Sequence, residues 1–308
     1  AGSLNILFSD KTGTITGGRL AVVDFFTADG QVVAPEEHPV LHEKLKLAIG
    51  RNSAAMYDDT GAVIGGNPTD QAVMRFLGAQ TYCAMQENEA CRVGKRQTFN
   101  STNKFSQAEL PARGTVVYKG APEALLARAA YALRADGTVV PFDAAALNER
   151  INAYAERAMR VLAFGYSKQP FRKNEINADV VLIGFAAIRD DVRPEAREAI
   201  AEVLAAGVQV VMVTGDRRET AVAIARDAGL LRADGELVLT SSDLAQMRDE
   251  EVQRILPQLR VIARALPTDK SRIVRLAQKM NLVVGMTGDG VNDSPALRRA
   301  DVGFAMGS

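Results

Sequence analysis

Two almost wholly apolar runs constrain the fold of this chain more than any other feature. They are Val208 to Val213 and Leu282 to Met286, and a helical pattern precedes each of them. The first of these helices begins near Pro194 and ends at Gly207, and the second covers about 268–279. Strands buried on both faces have this composition. The alternation therefore predicts an α/β domain with a parallel sheet and helices on both faces.

The middle of the chain has a different pattern, with shorter apolar runs and more frequent turn signals from about Arg19 to Asp179. The segments around Asp29-Gly30 and Asp136-Gly137 are typical of antiparallel hairpins. We predict an α+β domain with an antiparallel sheet, inserted after the first strand of the α/β domain. The predicted boundaries are 1–18 plus 184–308 for the parallel-sheet domain and 19–183 for the inserted domain.

Composition excludes several classes of protein. The 37 basic and 37 acidic residues balance, so nucleic acid is not an expected partner. No stretch approaches the roughly 20 apolar residues that cross a bilayer, and no signal peptide opens the chain. Cys83 and Cys91 lack metal-binding or CxxC spacing, which indicates reduced thiols. We expect a fragment of a larger protein, because both ends interrupt a pattern. We also expect this fragment to be soluble and monomeric.

Three polar motifs follow predicted parallel strands, where open α/β sheets bind their ligands. They are Asp10-Lys11-Thr12-Gly13-Thr14-Ile15-Thr16, Thr214-Gly215-Asp216 and Thr287-Gly288-Asp289-Gly290-Val291-Asn292-Asp293. A carboxylate can accept a phosphoryl group if the charge on the phosphoryl oxygens is neutralised. We predict that Asp10 is this nucleophile.

The other residues of these motifs have predicted roles around Asp10. The carboxylates of Asp10 and Asp289 and the carbonyl of Thr12 are predicted ligands of Mg²⁺, which prefers oxygen donors. Lys270, at the start of a helix, supplies a positive charge opposite the transferred group. Three further groups are predicted to hold phosphate oxygens: the Thr214 hydroxyl, the Gly215 N–H and the Asn292 side chain.

The first and third motifs, in this order and with Thr214-Gly215-Asp216 between them, resemble the signature of the P-type ATPases. This family belongs to the haloacid-dehalogenase-like superfamily. The resemblance implies a Rossmannoid parallel-sheet phosphorylation domain, an inserted nucleotide-binding domain, and the cofactors ATP and Mg²⁺. It also implies an aspartyl phosphate at Asp10 that drives cation transport, with calcium the favoured ion.

The inserted domain carries further matches. Lys119-Gly120-Ala121-Pro122-Glu123 resembles a motif of the calcium- and sodium-pump branches whose lysine lies beside the adenine pocket. Gly66-Asn67-Pro68-Thr69-Asp70 resembles a second part of that pocket, with Thr69 and Asp70 near the adenine edge. Thr69 also suits a helix N-cap.

Three more residues complete the nucleotide site that the resemblance implies. Phe99 would stack on adenine, Lys104 would lie nearby, and Arg160 would reach the phosphates; the alternatives are a core phenylalanine and a surface arginine. The chain departs from the family at Ser101, where an arginine is common. Asp190 and Arg193 of the hinge motif remain as nucleotide-binding candidates, but the proline between them is missing.

The resemblance also implies partners and a location. A membrane domain and an actuator domain of the same parent protein are expected, with this part on the cytoplasmic face of a membrane. The compact inserted domain indicates that this is a bacterial plasma membrane. We expect this fragment alone to turn ATP over slowly and to move about hinges near Gly17-Gly18 and 184–190.

Two other functions are open to a chain with these motifs. A stand-alone phosphatase of the same superfamily has a second aspartate two positions after the nucleophile, where this chain has Thr12. A regulatory ATP-binding module would leave Asp10, Lys270 and Asp289 unexplained.

Overall fold

The computed structural model describes residues 4–288 and 294–305. Within them the chain divides into two compact units. Unit 1 consists of residues 4–18 together with 190–288 and 294–305, and unit 2 is Arg19–Arg189. No helix over these described residues is both long and apolar enough to cross a membrane.

The strands are β1 (Ile6–Asp10), β2 (Thr16–Phe26), β3 (Ala55–Tyr57), β4 (Val63–Gly65), β5 (Arg96–Gln97), β6 (Phe105–Leu110), β7 (Thr115–Gly120), β8 (Ala129–Leu133), β9 (Val139–Val140), β10 (Arg160–Ser167), β11 (Val180–Val192), β12 (Gln209–Val213), β13 (Leu237–Thr240), β14 (Leu259–Ala263), β15 (Val284–Gly288) and β16 (Val302–Ala305). The helices are α1 (Pro39–Gly50), α2 (Pro68–Leu77), α3 (Ala79–Gln86), α4 (Pro122–Leu126), α5 (Ala144–Glu156), α6 (Pro194–Ala205), α7 (Arg218–Asp227), α8 (Ser241–Gln246), α9 (Asp249–Ile255), α10 (Pro267–Lys279) and α11 (Ser294–Arg299).

Unit 1 is built on a sheet of order β13-β14-β12-β1-β15-β16, in which every pair is parallel. Alternate residues of each strand point to opposite faces. Val211 and Val213 accordingly join a core with α8, α9, α10 and α11, while Val210 and Met212 join a second core with α6 and α7. The predicted parallel sheet with helices on both faces is confirmed.

Unit 2 has a sheet of order β5-β6-β7-β10-β11-β8-β9, with β2 also pairing β11. The prediction of an antiparallel sheet was wrong at one pair, because β8 and β11 run parallel. The reason is the connection between them: β9, α5 and β10 intervene, and a crossover of this length can return the chain in the same direction. The sheet is therefore mixed.

Tyr118 of β7 provides a test of the core of unit 2. Its side chain is buried, and burial raises its pKa from 10.0 to about 12. In the unfolded chain this tyrosine ionises first, so unfolding becomes more favourable as pH rises from about 10 to about 12. We expect the unfolding free energy of the wild type to fall relative to that of Tyr118→Phe by at most about 1.4 kcal/mol per pH unit in this window.

Urea denaturation of both proteins across this pH range measures the difference. Tyr131→Phe is the matched control, since Tyr131 is 48% exposed. Parallel pH curves for wild type and Tyr118→Phe would contradict a tyrosine held neutral by burial.

Candidate functional site

The first two motifs of unit 1 and Thr287-Gly288, the described part of the third, meet where strands β12, β1 and β15 end. The strand β1 lies between the other two, with Asp10 opposite Val213 and Phe8 opposite Met286. Because parallel strands present their carboxyl ends at one edge of a sheet, this register brings the motif residues that follow β12 and end β15 beside Asp10.

Asp10 is paired with Lys270 across this edge. Helix α10 begins at Pro267, and the Asp269 carboxylate accepts the Leu266 N–H (2.8 Å), which fixes its first turn. Lys270 lies in that turn, and its Nζ donates to Oδ1 of Asp10 at 2.9 Å although the two residues are 260 positions apart. The side chains are only 11% and 12% exposed. The ammonium group of Lys270 therefore lies beside the carboxylate of the predicted nucleophile.

Lys11, which sequence reasoning did not single out, anchors the segment after Asp10. Its Nζ lies 3.2 Å from Oδ2 of Asp190 and 3.0 Å from Oδ2 of Asp216. Burial alone would lower the pKa of Lys11, but the carboxylates of Asp216 and Asp190 outweigh it and leave the pKa raised. Lys11 is thus held as a cation. Its position directly after Asp10 was the available signal.

Asp190 and Arg193, predicted to bind nucleotide, contact this same segment. Oδ2 of Asp190 accepts the Thr16 hydroxyl proton (2.6 Å). The Arg193 side chain donates to the carbonyls of Thr16 (3.1 Å) and Gly13 (2.9 Å). Gly13 has a φ of 73°, a conformation that favours glycine. Both residues therefore brace the backbone turn that follows the strand carrying Asp10.

The other predicted phosphate-binding groups lie beside this turn. Thr214 is buried, and its Oγ1 accepts the N–H of Asp216 (3.2 Å). A methyl group added at Gly215 would meet no heavy atom within 4 Å, so the space beside its backbone is open. Thr287, which the sequence analysis did not assign, accepts the Asp10 N–H (3.2 Å) and donates to Oγ of Ser9 (3.1 Å).

The predicted Mg²⁺ ligands are only partly described. Asp289 and Asn292 lie outside the described residues, so their roles stay predictions. Across residues 4–288 and 294–305, no group of three or more His, Cys, Asp or Glu side chains could hold a metal ion. Asp10 and the carbonyl of Thr12, an exposed residue, offer the oxygen donors that Mg²⁺ prefers. By donor chemistry these two residues fit the ion.

Unit 2 contains a buried ion pair between Lys119, on β7, and Asp70, on α2. Both residues are less than one-tenth exposed. Burial lowers the pKa of Lys119, and the Asp70 carboxylate opposes this only in part. A buried ion pair is expensive to desolvate, so its presence among polar neighbours marks this place as a candidate ligand site.

Thr69 and Arg160 adjoin this pair. Nη1 of Arg160 donates to Oγ1 of Thr69 at 2.7 Å. The alternative role of Thr69 as the N-cap of α2 was wrong: Asn67 is the cap, and its Oδ1 accepts the Asp70 N–H (2.9 Å). The cap falls on Asn67 because Pro68 occupies the first helical position, where its missing N–H leaves no bond unmade.

Gly120 allows the segment Lys104-Phe105 of the adjacent strand to lie close to β7. A methyl group added there would lie 2.6 Å from the Lys104 carbonyl oxygen and 2.7 Å from Cβ of Phe105, so only glycine fits. The Lys104 side chain reaches Glu123 (3.0 Å) in an exposed ion pair. Phe99 is 51% exposed, which excludes the alternative that it is a core residue.

These predicted residues of unit 2 are not all joined by direct contacts. Two bonded pairs involve adjacent residues of α2: Asp70 with Lys119, and Thr69 with Arg160. Lys104 contacts the chain just after β7, where its carbonyl accepts the Ala121 N–H (2.9 Å). Phe99 presents an exposed ring from the loop between β5 and β6. The Phe99 ring offers a flat apolar surface that suits a base, and Lys104 and Arg160 are exposed cations that suit phosphates.

The chain is similar to known proteins over its whole length. A family model described as "P-type ATPase, cytoplasmic domain N" matches residues 41–195, about half of the chain. A calcium-transporting ATPase of Listeria monocytogenes is 34% identical over 327 residues, covering 100% of this chain and 36% of the relative.

Two further relatives are also named calcium-transporting ATPases and match nearly the whole chain. The calcium-transporting ATPase 1 of Lactococcus lactis is 33% identical, with 100% of this chain and 36% of the relative covered. A plasma-membrane-type calcium-transporting ATPase of Oryza sativa is 33% identical, with 99% and 32% covered. The chain thus spans about a third of the length of the relatives it matches.

Proposed function

The chain belongs to the P-type ATPase family, and from this premise we propose that it binds ATP and transfers the γ-phosphoryl group to Asp10. The observation that carries the proposal is the buried contact between Asp10 Oδ1 and Lys270 Nζ (2.9 Å) at the end of β1. We assign phosphorylation, on a haloacid-dehalogenase-like fold, to unit 1 and nucleotide binding to unit 2.

The proposed reaction is one displacement at phosphorus. An oxygen of Asp10 forms a bond to the γ-phosphorus while the bond from that phosphorus to the bridging oxygen breaks, and ADP leaves with the electron pair. Lys270 holds its positive charge beside the transferred group. Thr214 and the Gly215 N–H would orient phosphate oxygens. A bound Mg²⁺ would screen the phosphate charge, with Asp10, the Thr12 carbonyl and Asp289 as its proposed ligands.

The fate of the aspartyl phosphate distinguishes a pump from a phosphatase. Rapid hydrolysis needs a general acid and base near the new bond. Thr12, two positions after Asp10, cannot titrate in this role. We therefore propose that the aspartyl phosphate persists, so that a conformational change can be coupled to it.

The activity of the whole parent protein is a further proposal. The three relatives described above are named calcium-transporting ATPases. We propose that the parent of this chain couples ATP hydrolysis to transport of a cation, calcium, across a membrane. Unit 1 and unit 2 would then lie on its cytoplasmic face, with membrane and actuator domains in the same protein.

Phe99 tests the nucleotide site of unit 2. Stacking of an aromatic side chain on a base contributes about 1–3 kcal/mol. We expect Phe99→Ala to weaken ATP binding by about 5- to 150-fold, as measured by isothermal titration calorimetry. Phe304→Ala is the matched control, because Phe304 is also an exposed phenylalanine (46%) but lies in unit 1. An unchanged Kd for Phe99→Ala would remove Phe99 from the site.

The function itself is tested with ATP radiolabelled at the γ-phosphate. The 308-residue chain is incubated with this ATP and Mg²⁺, quenched in acid, and treated with hydroxylamine. Hydroxylamine cleaves acyl phosphates and leaves phosphate esters of serine and threonine intact. The proposal expects protein-bound label that hydroxylamine releases. Label that resists hydroxylamine, or ATP binding without any label, would contradict phosphorylation on a carboxylate.

A further inference from the structure

The loop of residues 98–104, which joins β5 to β6, carries Phe99 and is internally tied. Oδ1 of Asn100 accepts the Asn103 N–H (2.6 Å), and the Asn100 carbonyl accepts the Lys104 N–H (2.9 Å). Phe99 itself is 51% exposed, so packing around the ring contributes little to its orientation. The direction of the ring therefore depends on how the ends of the loop are held.

One residue outside the loop contacts both of its ends. The backbone N–H of Asn174 donates to Oε1 of Gln97, which directly precedes the loop (2.6 Å). The side-chain Oδ1 of Asn174 accepts a hydrogen bond from Nδ2 of Asn103, near the end of the loop (3.1 Å). Asn174 has a φ of 63°, a left-handed conformation that few residues other than glycine and asparagine adopt readily. This conformation aligns both groups with the loop.

A buried amide, that of Gln107, holds the residues on both sides of the bond between Asn174 and Gln97. Gln107 of β6 is fully buried, and its Nε2 donates to Oε1 of Gln97 (3.0 Å) and to the Arg172 carbonyl (2.7 Å). The first bond holds the residue just before the 98–104 loop, and the second holds the chain two residues before Asn174. The network therefore joins β5, β6 and residues 172–174.

Stability alone does not account for this pair of glutamines. Nε2 of Gln97 and Oε1 of Gln107 are buried and have no hydrogen-bond partner among residues 4–288 and 294–305. Unpaired buried amide atoms are unfavourable compared with apolar groups of similar shape. Each such group in a folded protein therefore calls for an explanation. The bonds that these amides do make all fix the segment beside the loop.

We propose that Asn174, held by Gln97 and Gln107, is a positioning residue that orients Phe99 for stacking on the base of a bound nucleotide. This inference rests on the proposed nucleotide binding by unit 2. Asn174 does not touch the base; it restricts the 98–104 loop before binding, so that less conformational freedom is lost when the ring stacks.

The test is a double-mutant cycle between Asn174→Gly and Phe99→Ala. Glycine accepts the left-handed φ and keeps an N–H that can bond to Gln97, so the variant removes the side-chain contact with Asn103, and the backbone freedom that glycine adds is matched in the Asn281→Gly control described below. We expect Asn174→Gly to weaken ATP binding about threefold to tenfold when Phe99 is present, and to have little effect when Phe99 is alanine. Hydrogen exchange of residues 98–104 should also accelerate in Asn174→Gly without nucleotide.

Two further variants make the result specific. Asn281→Gly makes the same change at a left-handed asparagine (φ 59°) in unit 1 and should leave ATP binding unchanged. Gln107→Leu should reproduce the exchange and affinity changes of Asn174→Gly.

The possible results distinguish the positioning role of Asn174 from nucleotide binding by unit 2. A wild-type chain that does not bind ATP would overturn both. Wild-type binding with equal losses for Asn174→Gly in both Phe99 backgrounds, or with unchanged exchange of the loop, would overturn only the positioning role.

Discussion

Asp10→Asn is expected to abolish incorporation of phosphate from ATP, lowering it by at least about a thousandfold. The amide oxygen is too weak a nucleophile to displace ADP, and the variant has no carboxylate to form an acyl phosphate. Asparagine has nearly the same shape and still offers an oxygen to Nζ of Lys270, which lies 2.9 Å from Oδ1 of Asp10 in the wild type. The fold and the ATP affinity of unit 2 should therefore change little.

Acid-quenched radiolabelling measures the loss, and calorimetry with ATP measures the affinity. Asp234→Asn is the control, since it makes the same chemical change at an exposed carboxylate of unit 1. It should incorporate label as the wild type does. If Asp10→Asn incorporated as much label as the wild type, another residue would be the phosphoryl acceptor.

Lys270→Met is expected to slow phosphorylation by about 10²- to 10³-fold. A preorganised charge at the reacting centre contributes about 3–4 kcal/mol in a water-poor site, and Lys270 is only 11% exposed beside Asp10. Methionine keeps most of the length and the apolar stem but removes the ammonium group. Rapid-quench measurement of label at saturating ATP gives the rate.

Lys279→Met is the matched control for this change. Lys279 is the last residue of the same helix, α10, and is exposed. It should phosphorylate at the wild-type rate. If Lys270→Met reacts as fast as Lys279→Met, the contact with Asp10 has no role in the transfer.

The central part of unit 1 could be predicted because its signals are local. Strands β12 and β15 are apolar runs, and a helical pattern precedes each, so the parallel sheet followed directly. Parallel strands end at one edge, which is why the proximity of Asp10 to Lys270 could be expected from motif positions alone. Strand β13 was missed since its apolar run, Leu237 to Leu239, is only three residues long and its four residues are only half-buried.

Other features depend on contacts between distant segments and have no periodic signal. The ion pairs of Lys11 with Asp190 and Asp216 join three separate elements, and no spacing in the sequence reveals them. The same holds for the parallel pairing of β8 with β11, since a strand does not encode its partner locally. The contact of Asn174 with Gln97 is of this kind as well.

Direct location of the phosphorylated residue tests the central claim most closely. The chain is labelled with ATP and Mg²⁺, quenched in acid and reduced with borohydride, which converts an aspartyl phosphate to homoserine. Mass spectrometry of the peptide that contains residues 4–16 then identifies the altered position. We predict homoserine at position 10, and only when ATP is present. Homoserine at another aspartate, or none in a chain that binds ATP, would contradict Asp10 as the phosphoryl acceptor.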